Sequence, residues 1–360
     1  MTLALRDIGK TVGPACHLDG ITLDLAPGSL NVLLGRTTAG KTSLMRLMAG
    51  LDRPTTGQVL VDGVDVTGVA PQKRSVAMVY QQFINYPSLS VYDNIAAPLR
   101  RQGKGKAAID AKVRSVAALV HIDHLLDRLP AELSGGQQQR CAIARALAKE
   151  ARLLLLDEPL VNLDYKLREE LREELGLLFR RSDAIVVYAT TEPQEALVMG
   201  GRTIVLDEGR VLQSGPSTAV FHHPASLRVA EVFSDPPLNL ASAVVEADSL
   251  TVAGDVRLPR VGHLARLDVG PCRIGLRASH LFLRRPGAAT FEAEVELAEI
   301  SGSETFVHVR RPGLNWVVQC EGVEHVELGQ RITVGLDPER VFVFGQDGAL
   351  RAAPAAALEA

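Results

Sequence analysis

Leu30-Asn31-Val32-Leu33-Leu34-Gly35-Arg36-Thr37-Thr38-Ala39-Gly40-Lys41-Thr42-Ser43 reads as a buried strand, a glycine-framed loop and the start of a helix that ends at Gly50. Residues 35–42 fit G-x-x-x-x-G-K-[ST], a pattern whose backbone N–H groups cradle phosphates. The context suits the chemistry. A loop between strand end and helix start aims unpaired N–H groups at one point, and the helix dipole adds positive partial charge there. Lys41 can then reach the terminal phosphates of a nucleotide, and the Thr42 hydroxyl can ligate Mg²⁺. Gly35, Arg36, Thr37, Thr38, Ala39, Gly40, Lys41, Thr42 and Ser43 are the expected phosphate-binding residues.

Upstream, short apolar runs separated by Gly9, Gly13, Pro14, Gly20 and Ala26-Pro27-Gly28-Ser29 predict an antiparallel β layer. Downstream, Gln58-Val59-Leu60-Val61 with Asp62-Gly63 reads as a hairpin, and Val76–Tyr80 as a strand ending at Gln81. Between Tyr92 and Leu129 the apolar spacing turns helical, with Arg100–Lys106 as a solvated connector. Leu153–Leu156 is a buried strand, and the following helix is expected to bury Leu167, Leu171, Leu175 and Leu178. Ala184–Tyr188 is a further buried strand, and Thr203–Leu206 with Gly209–Leu212 a closing hairpin. Strands alternating with helices indicate an α/β domain with a mainly parallel sheet, spanning residues 1–235 with a helical subdomain at about 88–150. Asp235-Pro236-Pro237 marks a boundary, and alternating apolar segments across 236–350 predict an all-β module, a small barrel or sandwich. Residues 351–360, rich in alanine, are expected to form a flexible tail.

The 360-residue length suits two domains. A net charge of -3 gives no sign of a nucleic-acid surface. Four scattered cysteines without a CxxC pair argue against a disulfide framework or zinc site and suit a reducing cytosol. No apolar window approaches a membrane span, and the N-terminus lacks a signal-peptide core. Work at a membrane would therefore go through a partner.

Two more elements narrow the chemistry. Asp157-Glu158 closes a buried strand: in a phosphate-loop protein an acid there helps hold Mg²⁺, and the next can orient or deprotonate an attacking water. Leu133-Ser134-Gly135-Gly136-Gln137-Gln138-Gln139-Arg140 runs into a helix, with Ser134 placed to cap it and two glycines that let N–H groups approach an anion. One chain cannot easily use both anion sites on one nucleotide.

LSGGQQQR resembles the signature of the ABC transporter ATPases. Gln81 resembles that family's Q-loop, Leu153–Asp157 its Walker B strand, Glu158 its catalytic glutamate and Val161-Asn162-Leu163-Asp164 its D-loop, all in the family's order. The resemblance implies a P-loop ATPase that binds ATP and Mg²⁺, with Thr42, Gln81 and Asp157 toward the metal. It also implies a head-to-tail dimer in which Ser134, Gly135, Gly136 and Gln137, with Asp164 nearby, complete the partner's site. Two membrane permease subunits would dock near Gln81, and a solute-binding protein would act through them. The chain would then lie at the cytoplasmic face of the plasma membrane. Arg273–Leu281 and Ser301–Thr305 resemble the OB-like (TOBE-type) regulatory domain of bacterial sugar and polyol importers.

The chain departs from this pattern at three places. Thr191 stands where the family has a histidine that contacts the γ-phosphate, and threonine lacks imidazole's reach and proton chemistry. Val12 stands where an aromatic stacks on adenine, with His17 the one histidine placed to pack nearby; Thr38 replaces a common glycine. Tyr80-Gln81-Gln82-Phe83-Ile84-Asn85-Tyr86-Pro87 with Thr191 looks most like the ATPase subunits of glycerol importers, which pair two distinct ATPase chains. That favours a heterodimer over a homodimer and glycerol as solute. The other readings are a non-transport ABC ATPase of repair or translation, and a regulatory binding subunit with weak hydrolysis.

Overall fold

A computed structural model describes residues 1–284 and 289–355. They fall into two compact units divided between Ser217 and Thr218.

The first unit opens with the long hairpin β1 (Leu3–Val12) and β2 (Ala15–Leu25), followed by β3 (Leu30–Leu34) and α1 (Lys41–Ala49). Next come β4 (Thr56–Val61), β5 (Val64–Asp65), β6 (Val76–Val79), α2 (Val91–Arg101), α3 (Lys106–Leu119) and α4 (Gly135–Ala148). The unit closes with β7 (Leu153–Asp157), α5 (Tyr165–Arg180), β8 (Ile185–Thr190), α6 (Pro193–Met199), β9 (Arg202–Asp207) and β10 (Arg210–Pro216). Two sheets result. One is antiparallel, in the order β2-β1-β4-β5; the other runs β10-β9-β3-β8-β7-β6, parallel from β9 to β6. Every residue of β3, β7 and β8 is buried, as expected of parallel strands covered on both faces. Leu5, Leu23, Leu33, Leu44, Leu155 and Val187 meet in one core between the sheets and α1.

The burial expected along α5 shifts toward its C-terminus. Leu171 and Leu175 are buried, but the stripe continues through Arg172, Gly176 and Phe179, while Leu178 is exposed and Leu167 only partly covered. A step of four residues from Leu175 keeps to the buried face at 100° per residue, and it selects Phe179.

The second unit carries two sheets on a shared core. Their strand segments lie in the orders 256–259, 249–252, 239–245, 270–276, 342–344, 350–352 and 281–283, 331–336, 289–301, 304–311, 314–321. Trp316, Phe291, Ile274, Val318 and Val334 lie in that core, with Phe291 edge-on to Trp316 at 5.5 Å. The helices Ser217–His222 and Leu227–Val232 precede Asp235-Pro236-Pro237, and the second contributes Leu227 and Ala230 to a cluster with Leu238, Phe342 and Phe344. The described part of the expected tail is ordered by pairing and packing. Leu350–Ala352 is a strand paired with Val343 and Phe344, and Pro354 is buried, so 351–354 are anchored by sheet pairing and packing. Residues 356–360 lie outside the described residues.

Candidate functional site

The parallel sheet sets the site: β3, β7 and β8 end side by side, with Leu34 opposite Thr190 and Asp157 opposite Ala189. Ligand sites of open α/β sheets lie at such carboxyl ends. Gly35 leaves β3 with its N–H donated to Thr190 O at 3.3 Å. A Cβ there would stand 2.3 Å from Leu206 O, so only glycine lets the loop turn. Gly40, at φ 104°, would bring a Cβ within 2.9 Å of His17 O. Thr38 occupies the left-handed region at φ 73°, which explains why glycine suits that position and costs a β-branched residue about 1–2 kcal/mol.

Lys41 is buried at the first turn of α1. Its Nζ donates to Gly35 O at 2.7 Å and Arg36 O at 3.2 Å, and lies 3.3 Å from Glu158 Oε1. Burial pulls its pKa down, opposed by the charges of Glu158 and Asp157. Thr42 Oγ1 donates to Asp157 Oδ2 at 2.8 Å. Asp157 is 1% exposed, and its Oδ1 is buried without a hydrogen-bond partner. Burial raises this carboxyl above its ordinary range, the Thr42 bond lowers it, nearby Glu158 raises it and Lys41 lowers it. Glu158 sits at φ 48°, its N–H donated to Ala189 O at 3.0 Å, and Gln81 Nε2 donates to its Oε2 at 3.1 Å.

The sequence-derived site residues thus fall into two groups. Gly35–Ser43, Gln81, Asp157 and Glu158 converge, and exposed Thr191 follows β8 at the same sheet end. Ser134, Gly135, Gly136, Gln137 and Asp164 form the other. Ser134 Oγ accepts from the Gln137 N–H at 3.3 Å while Gln137 Oε1 accepts from the Ser134 N–H at 2.9 Å, a capping box that opens α4. Asp164 caps α5, accepting from the Leu167 N–H at 3.0 Å. A Cβ on Gly136 would lie 3.1 Å from Leu163 Cδ2, so signature and D-loop pack together. Among the described residues, no hydrogen bond or ion pair joins Ser134–Gln137 to Gly35–Ser43, Asp157 or Glu158. Val12 is 53% exposed at the tip of the β1–β2 hairpin, and His17 is exposed with its carbonyl against Gly40.

A groove of about 590 Å³ opens between β6, α2 and α4, lined in part by Met78, Tyr80, Tyr86, Pro98, Arg101 and Arg145. Arg145 lies over the Tyr86 ring at 4.9 Å and donates to Ile84 O; Ile84 and Tyr86 are 59% and 48% exposed. Ile84 and Tyr86 fall in the stretch Tyr80–Pro87 singled out from the sequence, where only Gln81 carries an expected role.

Replacing Lys41 by Ala removes the cation paired with Glu158 and leaves two carboxylates where a polyphosphate would lie. ATP affinity is expected to fall about tenfold to a hundredfold, the value of a charge-assisted bond or two. Titration with a fluorescent ATP analogue measures it, and affinity within twofold of wild type would remove Lys41 from phosphate binding.

Residues 18–161 match the family model "ABC transporter", and residues 274–344 match "TOBE domain". The maltose/maltodextrin import ATP-binding protein MalK of Salmonella typhimurium is 35% identical over 356 residues, 96% of either chain. That of Photorhabdus laumondii is 34% identical with the same coverage. Among solved structures, the dimeric ABC transporter cassette MJ0796 superposes with a TM-score of 0.55 at 27% identity, covering 60% of this chain and 98% of that one. Its post-hydrolysis dimer bound to ADP and Pi gives 0.54, with the same identity and coverage.

Proposed function

The chain belongs to the ATP-binding subunits of ABC transporters, ATPases that couple hydrolysis to solute transport, and on that premise we propose that it powers import of a carbohydrate or polyol by closing on ATP with a second ATPase subunit. One observation carries the shared site: among the described residues no hydrogen bond or ion pair joins the phosphate-binding group to the capped N-terminus of α4. Each nucleotide then lies between one subunit's Gly35–Ser43 and the other's Ser134–Gln137. That the similar cassette MJ0796 is dimeric in its solved structures supports pairing with a second subunit.

Within the site, Lys41 meets the terminal phosphates, and ATP must take it from Glu158. Thr42 and Asp157 would hold Mg²⁺, with Gln81 beside them. The buried, unpartnered Asp157 Oδ1 suits such an ion, which takes few protein ligands and completes its shell with phosphate and water. Bound there, Mg²⁺ neutralises charge on the phosphate oxygens. Glu158 orients the attacking water and takes its proton. When Gln81 moves with the nucleotide, the groove beside Tyr80, Tyr86 and Arg145 moves with it, and a short cytoplasmic helix of a permease docks there. No helix among the described residues is long and apolar enough to cross a membrane.

Two narrower readings rest on particular residues. Exposed Thr191 at the γ-phosphate end favours a distinct, faster ATPase chain as partner, and Tyr80–Pro87 together with Thr191 favours glycerol as solute. The experiment is ATPase assay of this chain alone, then assembled with its permeases, second ATPase and binding protein. We expect slow turnover alone and severalfold stimulation by glycerol-loaded binding protein. Robust turnover alone, abolished by Glu158→Gln, sinks the heterodimer; stimulation by maltodextrin but not glycerol replaces the polyol with an oligosaccharide.

A further inference from the structure

The D-loop segment is held from two sides. On the signature side, Gln139 Nε2 donates to Pro159 O at 2.6 Å, and a Cβ on Gly136 would lie 3.4 Å from Asn162 O. On the other side stands Arg168. Its Nη1 donates to Glu192 Oε1 at 2.8 Å, and its Nη2 to Val161 O at 3.2 Å and Leu163 O at 3.3 Å. Glu192 directly follows Thr191, and its N–H donates to Thr190 Oγ1 at 3.0 Å. Thr190 O in turn accepts the N–H of Gly35, the first residue of the phosphate loop. Bonded groups therefore run from Gly35 through Thr190, Glu192 and Arg168 to the carbonyls of Val161 and Leu163, and end against Gly136.

We propose that Arg168 is a positioning residue that relays nucleotide occupancy of this chain's phosphate loop to the signature and D-loop face it offers a second subunit. The inference rests on the shared-site reading above. Arginine suits the task because one planar fork serves a carboxylate and two carbonyls together, which a lysine ammonium on its flexible stem does not. The pair is not a strong brace: Arg168 is 23% and Glu192 40% exposed, and solvent screens such a contact until it adds little to folding stability. Its consequence is geometric. Displacement of the strand end after Thr190 moves Glu192, and the guanidinium carries that movement to Val161 and Leu163. Among the described residues no hydrogen bond of the exposed Thr191 side chain spans this gap, and Glu192 is the acid that links the strand end to α5.

The test uses the full-length chain with its ATPase partner, comparing wild type with Arg168→Met, Arg168→Lys and Glu192→Gln. Amide hydrogen exchange at residues 160–164 is followed with and without ATP, beside kcat and KM. In wild type, ATP slows exchange at these amides. Arg168→Met, which keeps the apolar stem, abolishes that ATP-dependent difference and lowers kcat about tenfold with KM for ATP within about twofold. Glu192→Gln keeps the hydrogen bond and retains most of the effect, and Arg168→Lys recovers only part of it. Unchanged kcat and unchanged ATP-dependent exchange in Arg168→Met overturn the relay, as does a loss of kcat matched by loss of thermal stability and ATP binding. A wild-type pair that binds ATP and never turns it over strikes the shared-site reading instead.

Discussion

Glu158→Gln is expected to lower the slow ATP turnover of this chain assayed alone by about a hundredfold to ten-thousandfold, the range for losing a positioned general base. ATP binding should hold or tighten. Glutamine keeps the length and shape of glutamate, so the turn at φ 48° and the N–H bond to Ala189 O persist. It cannot accept the proton of an attacking water at the strand end. The ion pair between Lys41 and Glu158, 3.3 Å in this structure, also disappears, which frees Lys41 for the phosphates. Steady-state hydrolysis and nucleotide retention measured on one preparation separate the two effects. Turnover within fivefold of wild type would mean that the proton goes elsewhere, with Gln81 and ordered water the remaining polar route.

A contrasting pattern is expected of Ser134→Arg. Ser134 lies in the second group of site residues, where it caps α4 through Gln137. Its loss as a cap costs the helix about 1 kcal/mol, too little to unfold a domain of this size. The larger effect is steric and electrostatic. A long side chain at the N-terminus of α4 fills the space where another subunit's γ-phosphate would meet the N–H groups of Gly135 and Gly136. Binding at this chain's own Gly35–Thr42 should barely change, because no bond links Ser134 to that loop.

Much of the fold was legible because burial and composition agree. Leu30–Leu34 and Leu153–Leu156 are unbroken apolar runs, and the parallel sheet buries both faces of each. Glycines at 35 and 40 stood out in the sequence, and the backbone needs both. Two features resisted because they depend on tertiary contact. Phe179 rather than Leu178 lines the buried face of α5, since the phase of a helix is fixed by what it packs on. The strand at Leu350–Ala352 is only three residues long, too short for its alternation to stand out beside an alanine-rich run, and is held by its pairing with Val343 and Phe344. Within the site, motif residues could be read one at a time, and the resemblance already implied their division between two subunits' sites. Arg168 carries no motif, and its reach to Val161, Leu163 and Glu192 exists only once α5 is packed beside α6.

The shared site is tested most directly by two measurements on Ser134→Arg: nucleotide affinity of the isolated chain, and transport-coupled hydrolysis of the importer assembled from its permeases and ATPase subunits. We expect affinity within about twofold of wild type and coupled hydrolysis lowered at least about tenfold, the scale of a lost transition-state contact. Unchanged coupled hydrolysis would contradict it, leaving each phosphate loop as a complete site and the signature segment without a nucleotide to hold.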